Sequence, residues 1–485
     1  MGLVKSRGYA YRYRYRSSGT EIGADMYIHT EYIHTQNPPH SRDATEHTDD
    51  TEQTNKRAPP SQSKKQQAEK LLRDIPKLKS VEYDPLNVDF HPASLNLPDT
   101  IDPDDPLSLF NLFVDGSMCK IITQNSNQYA SNKGATRPSS RDWTATDDNE
   151  IRVLLGILIY MGVCREPNIE RYWSTRNGTE HTCIRQSMSL RRFEQLKRYL
   201  HISEQPPFPH YPYVPHPDDR ELMPENEVHY DPDHISRIWW HKVEPLLARF
   251  KTASQAYYKP SSNISIDELM VRCYGRSAHT FKMPSKPISK GYKVFSLADH
   301  GYIWDFIPAS RVNGVVGVVK HKDLTMTGSM VLELLRFLPA HHNRYAVYRD
   351  NYFTSISLFQ ILRDKGIGAC GTTRPYSAGQ DFPQFLKDLR NVGNYVPWNT
   401  LCAIPTWGVL CFGWQGNNLV MCLTTIHTVH RIEDKIERKR KRPSITSTNS
   451  HITHAVFGDK FKKILNIPTV INDYNQYMGG VDICS

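Results

Sequence analysis

The chain has 485 residues, enough for two or three domains, and its 60 Lys and Arg against 51 Asp and Glu give a net charge of +9, which permits a polyanionic partner without specifying one. Nine cysteines are scattered from Cys119 to Cys484 with no CxxC pair, a pattern that excludes a zinc module and a secreted disulfide framework and fits a reducing compartment. No apolar run approaches the ~20 residues of a membrane helix, and Met1 to Arg7 begin no apolar signal core, so the chain reads as soluble and intracellular.

In chain order, residues 1–103 are expected to form a disordered, low-complexity tail. They hold a Tyr/Arg alternation from Tyr11 to Arg16, a repeated Tyr-Ile-His-Thr and a polar stretch, with too little apolar surface to offset chain entropy. The Tyr/Arg run has rings to stack on bases and guanidinium groups to grip phosphates, and it equally fits a tail with no fixed role. From about residue 104 the pattern turns helical. Leu107, Phe110, Leu112 and Phe113 recur at helical spacing, and the apolar run from Ile151 to Val163 follows Thr146, Asp147, Asp148 and Glu150, a helix start signal. Arg191 to Leu200 spaces apolar residues among four basic ones, and a further helix is expected from Ile235 to Phe250. A Pro-rich loop from Gln205 to Pro224 separates them.

After Tyr258 the period changes. Ile264 and Ile266 alternate with polar residues, so Ser265 and Asp267 are predicted to project from the opposite face of a strand. Tyr292 to Leu297 and Tyr302 to Ile307 read as a hairpin turning at Asp299-His300-Gly301. Met330 to Leu338 and Thr354 to Lys365 read as helices, Tyr345 to Tyr348 as a strand, and Leu401 to Thr425 as more strands. The order predicts an all-helical domain followed by an α/β core with a β-rich insertion.

Three aspartates are candidate ligands. Asp267 on its strand is a rigid oxygen donor of the kind magnesium takes. Asp350 follows the Tyr345–Tyr348 strand, with Thr354 or Ser355 placed to cap the next helix. Taken singly, each also fits an ordinary strand-end aspartate. Asp482 stands in Gly479-Gly480-Val481-Asp482. Phosphoryl transfer between DNA strands uses two divalent ions ~3.5–4 Å apart, which three acids from separate elements can clamp, although spacing alone does not specify this. Arg272, Arg276, Lys282, Lys286, Lys290 and Lys293 interleave with Tyr274, Phe281 and Tyr292, as on a surface tracking a phosphate backbone or on an ordinary solvated face. The basic block Arg438-Lys439-Arg440-Lys441-Arg442 is consistent with nuclear import or with a flexible loop contacting DNA.

The text around the acids is more specific. Ser265-Ile266-Asp267-Glu268-Leu269-Met270, with Gly275-Arg276, Pro284-Ser285-Lys286-Pro287 and Gly291-Tyr292-Lys293-Val294-Phe295, resembles the first catalytic segment of the piggyBac transposase family. Asp350-Asn351-Tyr352-Phe353-Thr354-Ser355 with Gly371-Thr372-Thr373-Arg374 resembles the second, and Asp473-Tyr474-Asn475-Gln476-Tyr477-Met478-Gly479-Gly480-Val481-Asp482 the third. Met161-Gly162-Val163, Tyr172-Trp173-Ser174 and the stretch from Met188-Ser189 to Leu200-His201 look like the same family's helical dimerisation and DNA-binding domain.

The resemblance covers about residues 104–485 and implies a ribonuclease-H-like α/β core. In it Asp267 and Asp350 on adjacent strands, completed by Asp482 from a C-terminal helix, would hold two Mg2+ or Mn2+ ions. The implied reaction is cleavage and strand transfer of double-stranded DNA at TTAA-like targets by a nuclear homodimer. The implied domains are a tail (1–103), a helical dimerisation and DNA-binding domain (104–262), a first core segment (263–375), an insertion (376–466) and a last catalytic segment (467–485).

Relatives usually continue with Val-Asp-x-x-Asp and often carry a cysteine-rich zinc module beyond it, whereas here Ser485 stands at the second Asp position. With three residues after it, Asp482 is expected to fray, since a first helical turn fixes several dihedrals for one hydrogen bond. A ligand displaced by ~1 Å costs on the order of a hundredfold in rate, so weak or absent transposition is expected. The alternative is a catalytically inactive DNA-binding or dimerising relic of a transposase.

Overall fold

The computed structural model describes residues 61–135, 143–175, 181–204, 238–284, 286–339, 344–376, 378–431, 434–446 and 450–484. The Tyr/Arg run and the Pro-rich loop lie outside these residues. Helix α1 (Ser61–Arg73) is followed by an extended segment that reaches strand β1 (Ser94–Leu95). Then come α2 (Pro106–Phe113), α3 (Gly116–Asn132), α4 (Asp148–Val163), α5 (Thr182–Ser187), α6 (Leu190–Tyr199) and α7 (Glu244–Tyr257). Side-chain oxygens of Asp105, Asp115, Asp147 and Ser189 accept hydrogen bonds from the first free backbone N–H groups of α2, α3, α4 and α6, which fixes where each begins. Met118, Ile122, Ile151, Leu154, Phe193 and Leu196 pack together as the core of this helical stretch.

Strand β2 (Tyr258–Lys259) pairs with β1, and the chain then enters a ten-stranded sheet. Its members are β3 (Asn263–Arg272), β4 (Phe281–Lys282), β5 (Lys290–Asp299), β6 (Tyr302–Ser310), β7 (Gly314–Val315), β8 (Tyr345–Arg349), β9 (Ile367–Thr372), β10 (Leu401–Thr406), β11 (Val409–Gln415) and β12 (Leu419–Thr424). Helices α8 (Met326–Leu335), α9 (Ile356–Asp364) and α10 (Gln384–Asn391) fall between strands. The spatial order is β10-β11-β12-β9-β8-β3-β5-β6-β7, with β4 on β5. Strands β3, β8 and β9 are parallel, and the other pairings are antiparallel. The β5–β6 turn is the predicted one, with His300 (φ 47°) and Gly301 (φ 94°) both in the left-handed region that such a hairpin requires.

Alternation along β8 sets up two cores. Tyr345 and Val347 meet the apolar residues of α8, α9 and α10, whereas Ala346 and Tyr348 join Phe412, Trp414, Val470 and Ile471 on the other face. The latter two belong to α12 (Thr469–Tyr477), which follows β13 (Lys435–Lys441), α11 (Ser450–Phe457) and β14 (Lys462–Pro468).

Three expectations change here. The tail expected to be disordered through residue 103 is structured from Ser61 onward. Ala68 of α1 is buried in the main core with Leu71, Leu72 and Ile75 beside it, and Leu86 N donates to Thr425 O at 2.7 Å. A few apolar residues suffice because they dock on a sheet that is already formed. The segment expected as an insertion, residues 376–466, does not begin a separate sheet: β10–β12 continue the central sheet and cover the edge that β9 would otherwise expose. The basic block is not a loop but strand β13, paired antiparallel with β14.

Candidate metal centre

Parallel pairing places Ile266 of β3 level with Arg349 of β8, so the next residues, Asp267 and Asp350, emerge side by side where the two strands end their pairing. Asp267 is 5% exposed. Tyr352 N donates to Asp350 Oδ1 at 2.9 Å and Thr354 Oγ1 to the Asp350 carbonyl at 2.7 Å, while Ser355 caps α9, so the loop after β8 is tied down. Glu268 joins them. Among the described residues, carboxylate oxygens of Asp267, Glu268 and Asp350 lie within 4.8 Å of one another.

Strand alternation argues against Glu268 as a neighbour of Asp267, which is why sequence reasoning passed over it. The signal was its place directly after Asp267. Its carboxylate receives Lys293 Nζ at 2.8 Å, and that ammonium lies 4.6 Å from the Phe295 ring and 4.8 Å from that of Tyr352. Lys293, expected on the phosphate-tracking surface, is therefore a buried partner of Glu268 instead.

Burial dominates the electrostatics of the trio. It pushes the Asp267 carboxyl up to about 8, against the pull of Lys286 and with help from Glu268 and Asp350. Asp350 is raised as well, first by burial and then by Glu268, although the N–H groups of Tyr352 and Phe353 oppose this. Glu268 is held below its usual range. Burial works against that, but hydrogen bonds from Asp267 and Lys293 and the lysine charges outweigh it. Three packed carboxylates with too little counter-charge, all oxygen donors, suit a hard divalent cation.

Asp482 stands apart from the trio. Its side chain is 60% exposed, and Lys286 Nζ sits 3.6 Å from its Oδ1 and 3.6 Å from Asp267 Oδ2, bridging the two. Burial lowers the Lys286 ammonium, but Asp267, Asp482 and Glu268 together hold it above its ordinary value. Asp482 is the first residue of the short 3-10 segment Asp482–Cys484. Support comes from residues before Asp482: Val481 is fully buried, Gly479 and Gly480 are buried, and Cys484 N donates to Val481 O at 3.1 Å in a closing 3-10 turn. A Cβ at Gly480 would stand 2.4 Å from Ser265 Oγ, so glycine lets this turn lie against β3.

Toward the start of β5 opens a cleft of about 730 Å³ lined by Arg276, Lys282, Lys290 and Arg311 among others. Lys282 and Lys290 face each other across the β4–β5 pair, both exposed. Arg311 was not singled out from sequence, because β6 alone brings it here. Exposed Arg272 lies further along β3, donating to Tyr274 OH at 2.9 Å. Asp299 has a structural role: it is buried and accepts from Tyr258 OH, Ser261 N, Ser261 Oγ and His300 Nδ1.

A family profile described as transposase IS4 matches residues 105–485. The chain is 25% identical over 385 residues to piggyBac transposable element-derived protein 3 of Homo sapiens, covering 78% of this chain and 54% of that protein. It is 27% identical over 278 residues to piggyBac transposable element-derived protein 2 of Homo sapiens, covering 56% and 40%. The chain thus spans about half the length of these relatives. Among solved structures, a piggyBac transposase in a cryo-EM synaptic complex with hairpin DNA matches with TM-score 0.56 and 20% identity, over 81% of this chain and 69% of that one, so the two share a fold. The chain belongs to the transposase IS4 family and is of the piggyBac type.

Proposed function

We propose that the protein cleaves and joins double-stranded DNA at TTAA-like targets, using a divalent-metal centre built on Asp267 and Asp350 with Asp482 beside it. The observation that carries this reading is the adjacent Asp267–Asp350 pair, buried and half-buried, where two parallel strands end their pairing, on a sheet that also borders an open cationic cleft. The order β6-β5-β3-β8-β9, three antiparallel strands followed by two parallel ones, supports a ribonuclease-H-like core. Bound Mg2+ or Mn2+, two ions on this reading, would activate the attacking hydroxyl and stabilise the leaving oxygen. The chain's own residues do the remaining work. Asp267 and Asp350 supply rigid oxygen donors, Lys293 keeps Glu268 ionised beside them, and Arg276, Lys282, Lys290 and Arg311 hold the phosphate backbone. The helical stretch serves dimerisation and DNA binding, consistent with exposed Leu158, Ile159 and Val163 along α4, and the protein acts in the nucleus.

A specific feature favours the alternative of a DNA-binding relic without chemistry. The Lys286 ammonium bridges Asp267 and Asp482, and it competes with a cation for them. Nicking of a TTAA-containing duplex in Mn2+ or Mg2+ separates the two readings. The enzyme reading expects nicking that Asp267→Ala and Asp350→Ala each reduce by at least a hundredfold, on the order of a displaced catalytic group or more. Duplex binding without metal-dependent nicking would establish the relic.

A further inference from the structure

The ribbon of β13 and β14 plays no part in the centre described above. Seven residue pairs run from Lys435–Pro468 to Lys441–Lys462. Directly opposed residues share a face, so Lys435, Glu437, Lys439 and Lys441 lie with Lys462, Ile464 and Asn466, and all of these except Pro468's neighbourhood at the base are exposed. Ile436 and Ile467 lie on the other face and pack into the core beneath. That other face is apolar at the base of the ribbon and basic toward its tip, where Arg440 opposes Lys463, while the outer face carries Lys435, Lys439, Lys441 and Lys462.

Two observations separate this outer face from an ordinary solvated surface. Lys441 and Lys462 are directly opposed, an arrangement of like charges that destabilises a strand pair. Glu437 is the sole acid in either strand, and among the described residues none of Lys439, Lys441 and Lys462 meets a carboxylate. The base of the ribbon is meanwhile fixed to the helix that leads toward Asp482. Arg438 Nε donates to Asn472 Oδ1 at 2.7 Å, and Thr469 N to Asp434 O at 2.8 Å.

On the reading above, in which the substrate is duplex DNA, we infer that the outer face of this ribbon is a second phosphate-binding surface, separate from the Arg276–Arg311 cleft, on which Lys439, Lys441 and Lys462 grip the DNA backbone. A polyanion offsets the repulsion the sequence builds into the pair, and a two-stranded ribbon has the width to follow a DNA groove. A receptor reading an extended basic segment along its main chain fits less well, because β13 is already paired with β14 along its length.

The test uses the full chain, a fluorescein-labelled duplex with a TTAA step, and anisotropy titrations from ~50 to ~200 mM salt. Replacing Lys439, Lys441 and Lys462 together by Ala is expected to weaken binding roughly tenfold or more at low salt and to lower the log–log salt slope by about 2–3. The triple Lys→Arg protein should retain both affinity and slope. Wild-type binding matched by the alanine protein in affinity and slope would overturn the ribbon and leave the DNA reading standing. No binding by the wild type would overturn both. Equal losses in the arginine and alanine proteins would mark a packing defect and overturn the assignment, as would unchanged DNA affinity with lost nuclear accumulation.

Discussion

At the scale of single residues, the centre holds more negative charge than its surroundings balance, and this has a measurable consequence in the metal-free protein. Asp267 is raised by burial from 3.8 to about 8, so the folded protein holds that proton more tightly than the unfolded chain does. Stability should then fall as pH rises from about 4 toward about 8, because over that window folding must keep a proton that the unfolded chain has released. Glu268 contributes the opposite slope on the acid side, since its folded value is depressed and its stabilisation is lost as pH falls. In EDTA, Asp267→Asn is expected to raise the thermal midpoint near pH 8 by a few degrees and to have little effect near pH 4. An equal shift at both pH values would show that packing, not ionisation, governs the site. Arg349 is a second uncompensated charge: it is fully buried, its guanidinium lacks a hydrogen-bond partner among the described residues, and it lies 4.4 Å from the Phe359 ring. Burial lowers it to about 9.

At the scale of elements, the approach of the Met478–Gly480 turn to β3 decides where Asp482 sits. A Cβ at Gly480 meets Ser265 Oγ at 2.4 Å and the Ala298 carbonyl at 3.5 Å, whereas one at Gly479 meets nothing within 4 Å. Gly480→Ala should therefore lower stability by about 1–3 kcal/mol through overpacking and abolish metal-dependent nicking, while Gly479→Ala leaves both near wild type. Calorimetric unfolding and the nicking assay check this, and equal behaviour of the two variants would refute the turn's role. The strands carrying Asp267 and Asp350 were legible in sequence, because alternation at Ile264–Ile266 and the short apolar run at Tyr345–Tyr348 are local signals. Their parallel adjacency was not local and came only through family resemblance. Glu268 and Lys293 were misjudged because alternation describes an isolated strand, while a long lysine under three aromatic rings draws a carboxylate toward it. The structured segment after Ser61 was missed since its few apolar residues gain their order from the sheet they cover.

At the scale of the whole molecule, one sheet gathers residues from distant parts of the chain. Asp267 and Asp350 come from neighbouring strands, Asp482 from the segment beyond α12, and the cations of the cleft from β4, β5 and the segment after β6. Among the described residues, two exposed places, the cleft and the β13–β14 ribbon, set lysines opposite lysines. The clustered carboxylates of Asp267, Glu268 and Asp350 make a candidate divalent-metal centre. Its most direct test is calorimetric titration of Mn2+ into the metal-free protein in two buffers of different ionisation enthalpy near pH 7. Saturable binding accompanied by proton release, with both lost in the Asp267→Asn/Asp350→Asn protein, is the predicted result. No saturable binding by the wild type, or the same binding by the double variant, would contradict it.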